Sequence, residues 1–162
     1  MKKKLFLMIA VLSMTLSASA QFEADKLYVG ASLTGLNMNY NGKDGLNLGV
    51  QAHLGYLVED NWMVLGQASY QHSGNDAVSD YISAGIGGRY YIIQNGLYLG
   101  ANCKVVHAYH NYNDIMPGVE VGYAFFISHT ATIEPAIYYD QSFKNHSDYS
   151  TIGFKIGIGL YI

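Results

Sequence analysis

Charge is scarce in this chain. Asp, Glu, Lys and Arg together make up only 13% of its 162 residues, and a soluble exterior dense in Lys and Glu is hard to build from so few. The single cysteine, Cys103, excludes an internal disulfide. It lies in an apolar stripe, where a small hydrophobic role is the default. Only two prolines occur, Pro117 and Pro135. No stretch after the N-terminal segment is apolar for long enough to cross a bilayer as a helix. A spanning structure would therefore have to be a closed barrel. Glycine-rich phosphate loops are lacking too; the glycines alternate with apolar residues, as in strands that line a lumen and permit curvature.

The N-terminus has the layout of a secretory leader. Lys2 to Lys4 precede an apolar run from Leu5 to Leu12, extended by Met14 and Leu16, and Ala18-Ser19-Ala20 closes it. The run is short for an anchoring helix, so residues 1–20 are expected to be removed after Ala20. Gln21, rather than a cysteine, follows the expected cut, which argues against a lipoprotein. Residues 21–162 then form one domain. Without the three leader lysines, six Lys and Arg face twelve Asp and Glu, a net charge of −6. That balance argues against nucleic acid, which needs a basic face.

Period-two alternation runs through the rest of the chain. It predicts strands over 26–34, 46–56, 62–71, 82–91, 97–105, 118–125, 131–139 and 155–162. Polar turn clusters separate them, among them Asn41 to Gly45, Glu59-Asp60-Asn61, Gln94-Asn95-Gly96 and Ser128-His129-Thr130. Longer polar loops are expected over His72 to Asp80, His107 to Asp114 and Gln141 to Asp148. Eight strands of roughly ten residues, joined by alternating long and short connections, describe an all-β, antiparallel, up-and-down transmembrane barrel. Pro135 is the misfit: it lacks the N–H a ladder needs, so a bulge or a locally broken ladder is expected there. Pro117 is expected at the start of its strand.

Alternation alone leaves open which face points outward, and a lipocalin-type soluble barrel is the mirror case. The polar stripe is mostly Gly, Ser, Thr, Asn and Gln with isolated charges, which suits a narrow lumen. The apolar stripe ends in aromatics: Tyr56, Trp62, Tyr90, Tyr123 and Phe125 beside the short turns, and Tyr70, Tyr109 and Tyr139 beside the long loops. Two aromatic girdles flanking an apolar band are what membrane interfaces select for.

The final strand, KIGIGLYI from Lys155 to Ile162, alternates strictly. Its Lys155, Gly157, Leu160 and Ile162 fit the pattern with which bacterial outer-membrane barrels end. From Lys26 to Ile162 the chain resembles the outer-membrane protein β-barrel domain family, the small barrels that include OmpX and the OmpA transmembrane domain. It differs in ending on Ile162 where Phe is usual. The resemblance implies a monomer in the bacterial outer membrane, with termini and short turns in the periplasm. It also implies contact with outer-membrane lipid and lipopolysaccharide, and insertion by the barrel-assembly machinery, which reads the last strand.

The expected lumenal network is Arg89, Lys104, Glu120, Glu134 and Lys155, with His53 beside it. Opposite charges in so narrow a barrel can all reach one another, and Lys104 with Glu120 is the expected neighbouring pair. The expected role is a structural or surface-interaction protein whose lumen these side chains plug. A narrow gated pore, as the OmpA resemblance implies, and a lipid A-modifying enzyme are the alternatives. For the enzyme, His146, Ser147 and Asp148 are consecutive, so neighbours point to opposite faces and form a poor triad. No catalytic residue is expected. Four histidines (His72, His107, His110, His146) and six aspartates (Asp44, Asp76, Asp80, Asp114, Asp140, Asp148) crowd the expected outer loops. They lack recognisable ligand spacing, so neither a metal nor another cofactor is expected.

Overall fold

The computed structural model describes residues 22–38, 48–72, 80–92, 96–108, 112–144 and 150–162. The expected leader and cleavage point lie outside these residues, as do Asp44, Asp76, Tyr109, His110, His146 and Asp148. Among the described residues, nine strands form one antiparallel sheet: β1 Leu27–Met38, β2 Leu48–Glu59, β3 Trp62–His72, β4 Tyr81–Tyr91, β5 Leu97–Ala108, β6 Tyr112–Tyr123, β7 Phe125–Phe126, β8 Ala131–Asp140 and β9 Thr151–Tyr161. Each of β1 to β6 pairs with the next or the preceding strand, β8 pairs with β6, β7 and β9, and β1 pairs with β9. The sheet therefore closes on itself and leaves no edge. Because β6 and β7 are collinear pieces of one stave, the barrel has eight.

The break between β6 and β7 is the work of Pro135. Ala131 O accepts from Ile127 N, so the odd-numbered backbone groups of β8 point towards the sixth stave. Pro135 therefore presents its missing donor to that stave, and the ladder lapses opposite it. Pairing is Gly122 with Ala136 on one side of the gap and Phe125 with Ile133 on the other, in unchanged register. No bulge forms, and the ladder to β9 runs through Pro135 uninterrupted. Pro117 lies five residues inside β6 instead of at its start. Its carbonyl accepts from Gln141 N at 2.8 Å, just past the last β6–β8 pair, so its nitrogen faces a ladder that has ended. The loop expected over His107 to Asp114 shrinks correspondingly: Ala108 already pairs with Tyr112, leaving 109–111 as the connection.

The aliphatic stripe faces outward. Leu54, Ile86, Val105, Val121, Ile137 and Ile158 are exposed, Ile86 at 73%, whereas the alternate positions are buried or half-buried. The lipocalin-type arrangement is thereby excluded. Aromatics bound the apolar band as expected. Trp62 and Tyr90 meet at 4.8 Å and Tyr123 and Phe125 at 4.3 Å at the short-turn end. Three outward tyrosines reach polar groups beyond the strands: Tyr56 donates to Asp25, Tyr70 to Asp80 and Tyr139 to Gln141.

Candidate functional site: the lumenal polar network

Strand parity and register place the lumenal charges. Arg89 is opposite Met63 on one side and Gly100 on the other, and Gly100 is opposite Glu120. A bare glycine between Arg89 and Glu120 opens the space in which they meet; a Cβ on Gly100 would collide with the Glu120 side chain. Arg89 Nε donates to Glu120 Oε1 at 2.9 Å and Nη1 to Glu134 Oε2 at 2.9 Å. The guanidinium lies 4.5 Å from the Tyr98 ring centroid and 5.3 Å from that of Tyr28, within reach of cation–π attraction. Only 2% of its surface is exposed.

Glu134 is the more heavily bonded carboxylate. Besides Arg89 it accepts from Tyr28 Oη at 2.8 Å, Thr132 Oγ1 at 2.8 Å and Tyr161 Oη at 3.1 Å. Glu120 takes its second cation from Lys155. Three cationic side chains and their carboxylates thus balance in the interior: Arg89 with Glu120 and Glu134, Lys155 with Glu120, and Lys104 with Asp140. Mutual neutralisation and hydrogen bonding are what make buried charges tolerable.

Lys104 does not pair with Glu120 as expected; its partner is Asp140. The register supplies the reason. Lys104 is opposite Met116, four residues along β6 from Glu120, which is about 13 Å of strand. Asp140, placed in the outer loops by sequence, instead continues the inward parity of Glu134, Ala136 and Tyr138. Asp114 is also an inward strand residue. It receives the Ser142 hydroxyl and so ties the β6 end to the segment after β8. His53 is buried in the lumen but joins no ion pair among the described residues; its Nε2 lies 3.4 Å from Ser32 Oγ.

The lumen has an aromatic floor that the sequence reading missed. Tyr28, Tyr91, Tyr98 and Tyr161 share the inward parity and are all buried, a signal that strand alternation already carried. Tyr91 and Tyr161 hydroxyls meet at 2.8 Å. Phe22, which precedes β1, carries no such signal. It is fully buried in the short-turn mouth, stacked on Tyr91 at 3.9 Å and edge-on to Tyr161 at 5.4 Å. Its backbone is tethered by Asn61 N donating to Phe22 O, and Asp60 accepts from Ala24 N.

The C-terminal quartet divides between faces. Lys155 and Gly157 are buried inside, Leu160 and Ile162 are exposed outside, and Ile162 exchanges two backbone hydrogen bonds with Leu27. Among the described residues, no group of three or more His, Cys, Asp or Glu side chains converges as a metal site. His72 instead meets Asp80, and His107 meets Asn113, on the exposed wall.

No family model and no curated protein sequence matches this chain. Solved structures do. The N-terminal β-barrel domain of Pseudomonas aeruginosa OprF aligns at a TM-score of 0.68 and 9% identity, over 86% of this chain and 98% of that one. Neisserial surface protein A aligns at 0.64 and 13%, over 83% and 96%. A de novo designed transmembrane β-barrel aligns at 0.55 and 14%, over 86% and 98%. The fold is that of the small eight-stranded outer-membrane barrels. Sequence identities this low speak for the architecture alone.

Proposed function

We propose that this protein is an integral outer-membrane barrel with a structural or surface-interaction role, its lumen closed by its own side chains. The observation that carries this reading is the inverted distribution of polarity. Aliphatic residues cover the outside between two aromatic girdles, while Arg89, Glu120, Glu134 and Lys155 are buried at the axis. Water offers no reason to expose Ile86, Leu54 and Ile158 around a whole circumference; hydrocarbon does. The likeness to outer-membrane barrels supports the location, and an exported N-terminus would deliver the chain there. Outer-membrane lipid and lipopolysaccharide then surround a monomer, and the last strand would serve the barrel-assembly machinery before the barrel closes.

A closed lumen fits the ion pairs, the aromatic floor and Phe22, which stand in series along the axis. No catalytic step belongs to this reading. Membrane fractionation, with gel mobility of unheated against boiled sample, tests the location: a heat-modifiable band in the outer-membrane fraction is expected, and a soluble periplasmic protein would refute it. Planar-bilayer recordings test the lumen. No large steady conductance is expected; a porin-sized current refutes the closed lumen, and small switching currents would favour a narrow gated pore.

A further inference from the structure

A small cavity of ≈ 20 Å³ lies in the lumen beside both the Lys104–Asp140 and the Lys155–Glu120 pairs, with Asn102 and Gln71 also in its wall. About 10–15 Å³ suffices for one water molecule. The charges around it cancel, two ammonium groups against two carboxylates that already hold them, so the site calls for a neutral ligand. Asn102 Oδ1 is buried and meets no protein donor. Gly118 shows where that oxygen points. A Cβ on Gly118 would have Asn102 Oδ1 at 3.0 Å and Asp140 Oδ1 closer still. Two acceptor oxygens thus lean over the same bare glycine. An acceptor left unsatisfied in the interior is costly.

We infer that the cavity binds one structural water, which donates to Asn102 Oδ1 and to the Asp140 carboxylate. It accepts from a lysine ammonium on the cavity wall, Lys104 or Lys155. Three hydrogen bonds are typical of a buried water. The water supplies the partner that Asn102 Oδ1 lacks, within the filled lumen on which this inference rests.

Crystals of the refolded barrel test the inference, at a resolution that shows ordered solvent, together with bromide-soaked crystals and the near-isosteric Asn102→Leu variant. One solvent peak is expected within hydrogen-bond distance of both Asn102 and Asp140, with no bromide anomalous signal, and it should vanish in Asn102→Leu. A dry cavity in which the Asn102 amide is turned over to donate directly to Asp140 would overturn the inference. So would a bromide peak, which would make the site an anion site. If Asn102→Leu fails to fold, the wild-type density and the bromide data decide alone. Conductance separates the two readings: a dry cavity in a silent barrel refutes only the water, and a large current refutes the closed lumen whatever occupies the cavity.

Discussion

Replacing Arg89 by Met removes the one cation that two buried carboxylates share. Both ion pairs are 2.9 Å long, and all three side chains are at most 5% exposed. Breaking a buried pair from one side costs about 3–5 kcal/mol, because the remaining charge stays desolvated without its partner. Two features moderate that figure here. Glu120 keeps Lys155, and Glu134 keeps three hydroxyl donors in Tyr28, Thr132 and Tyr161. The loss of the cation–π contacts with Tyr98 and Tyr28 acts in the opposite sense, at about 0.5–2 kcal/mol. A net loss of about 3–5 kcal/mol is therefore expected, a factor of roughly a hundred or more in the folding equilibrium. Arg89→Lys keeps the charge but not the two-armed geometry, so its loss should be smaller. Trp62 is the single tryptophan and stands exposed on the girdle at the short-turn end, so its fluorescence reports reversible urea unfolding in lipid vesicles. A loss below about 1 kcal/mol for Arg89→Met would show that the carboxylates are not relying on this cation.

Ile86→Arg, at the most exposed aliphatic position of β4, should cost about 2–4 kcal/mol in the same assay if it lies near mid-bilayer; no cost would refute the outward assignment of this face. Phe22→Ala should cost about 3–5 kcal/mol, since it empties a fully buried ring site, while the planar-bilayer current stays negligible because the tyrosines and ion pairs remain above it. A porin-sized current in that variant would mean that Phe22 alone seals the lumen. Gly122→Ala would drive a Cβ into the Tyr98 ring and the Ala136 Cβ; a loss of about 1–3 kcal/mol is expected, measured by urea titration, and an unchanged midpoint would show that Tyr98 yields freely.

Barrel topology, strand count and facing were all legible in the chain because a strand alternates its faces with a period of two. Once the scarcity of charge decides that the apolar face meets lipid, every other side chain is assigned to the lumen. Arg89, Lys104, Glu120, Glu134, Lys155 and His53 all lie inside, as that parity requires. The Pro135 break was legible for the same local reason, a missing donor. The partners inside the lumen were not legible. Parity says which way a side chain points, but not its depth. Lys104 meets Asp140 rather than Glu120 because the β5–β6 register sets Glu120 four residues away, and register is a property of two strands together.

The sequence by itself determined the eight alternating staves, the lipid-like exterior, the girdles and the inward facing of Arg89, Lys104, Glu120, Glu134 and Lys155, since each follows from local spacing and composition. Only the tertiary structure decided who pairs with whom, that Phe22 folds back to stack on Tyr91, that Asp114 and Asp140 belong to the wall rather than the loops, and that Gly100 and Gly118 open the gaps their neighbours fill. Those outcomes depend on residues far apart in the chain meeting across a closed cylinder, and closure fixes relative heights that no single strand encodes.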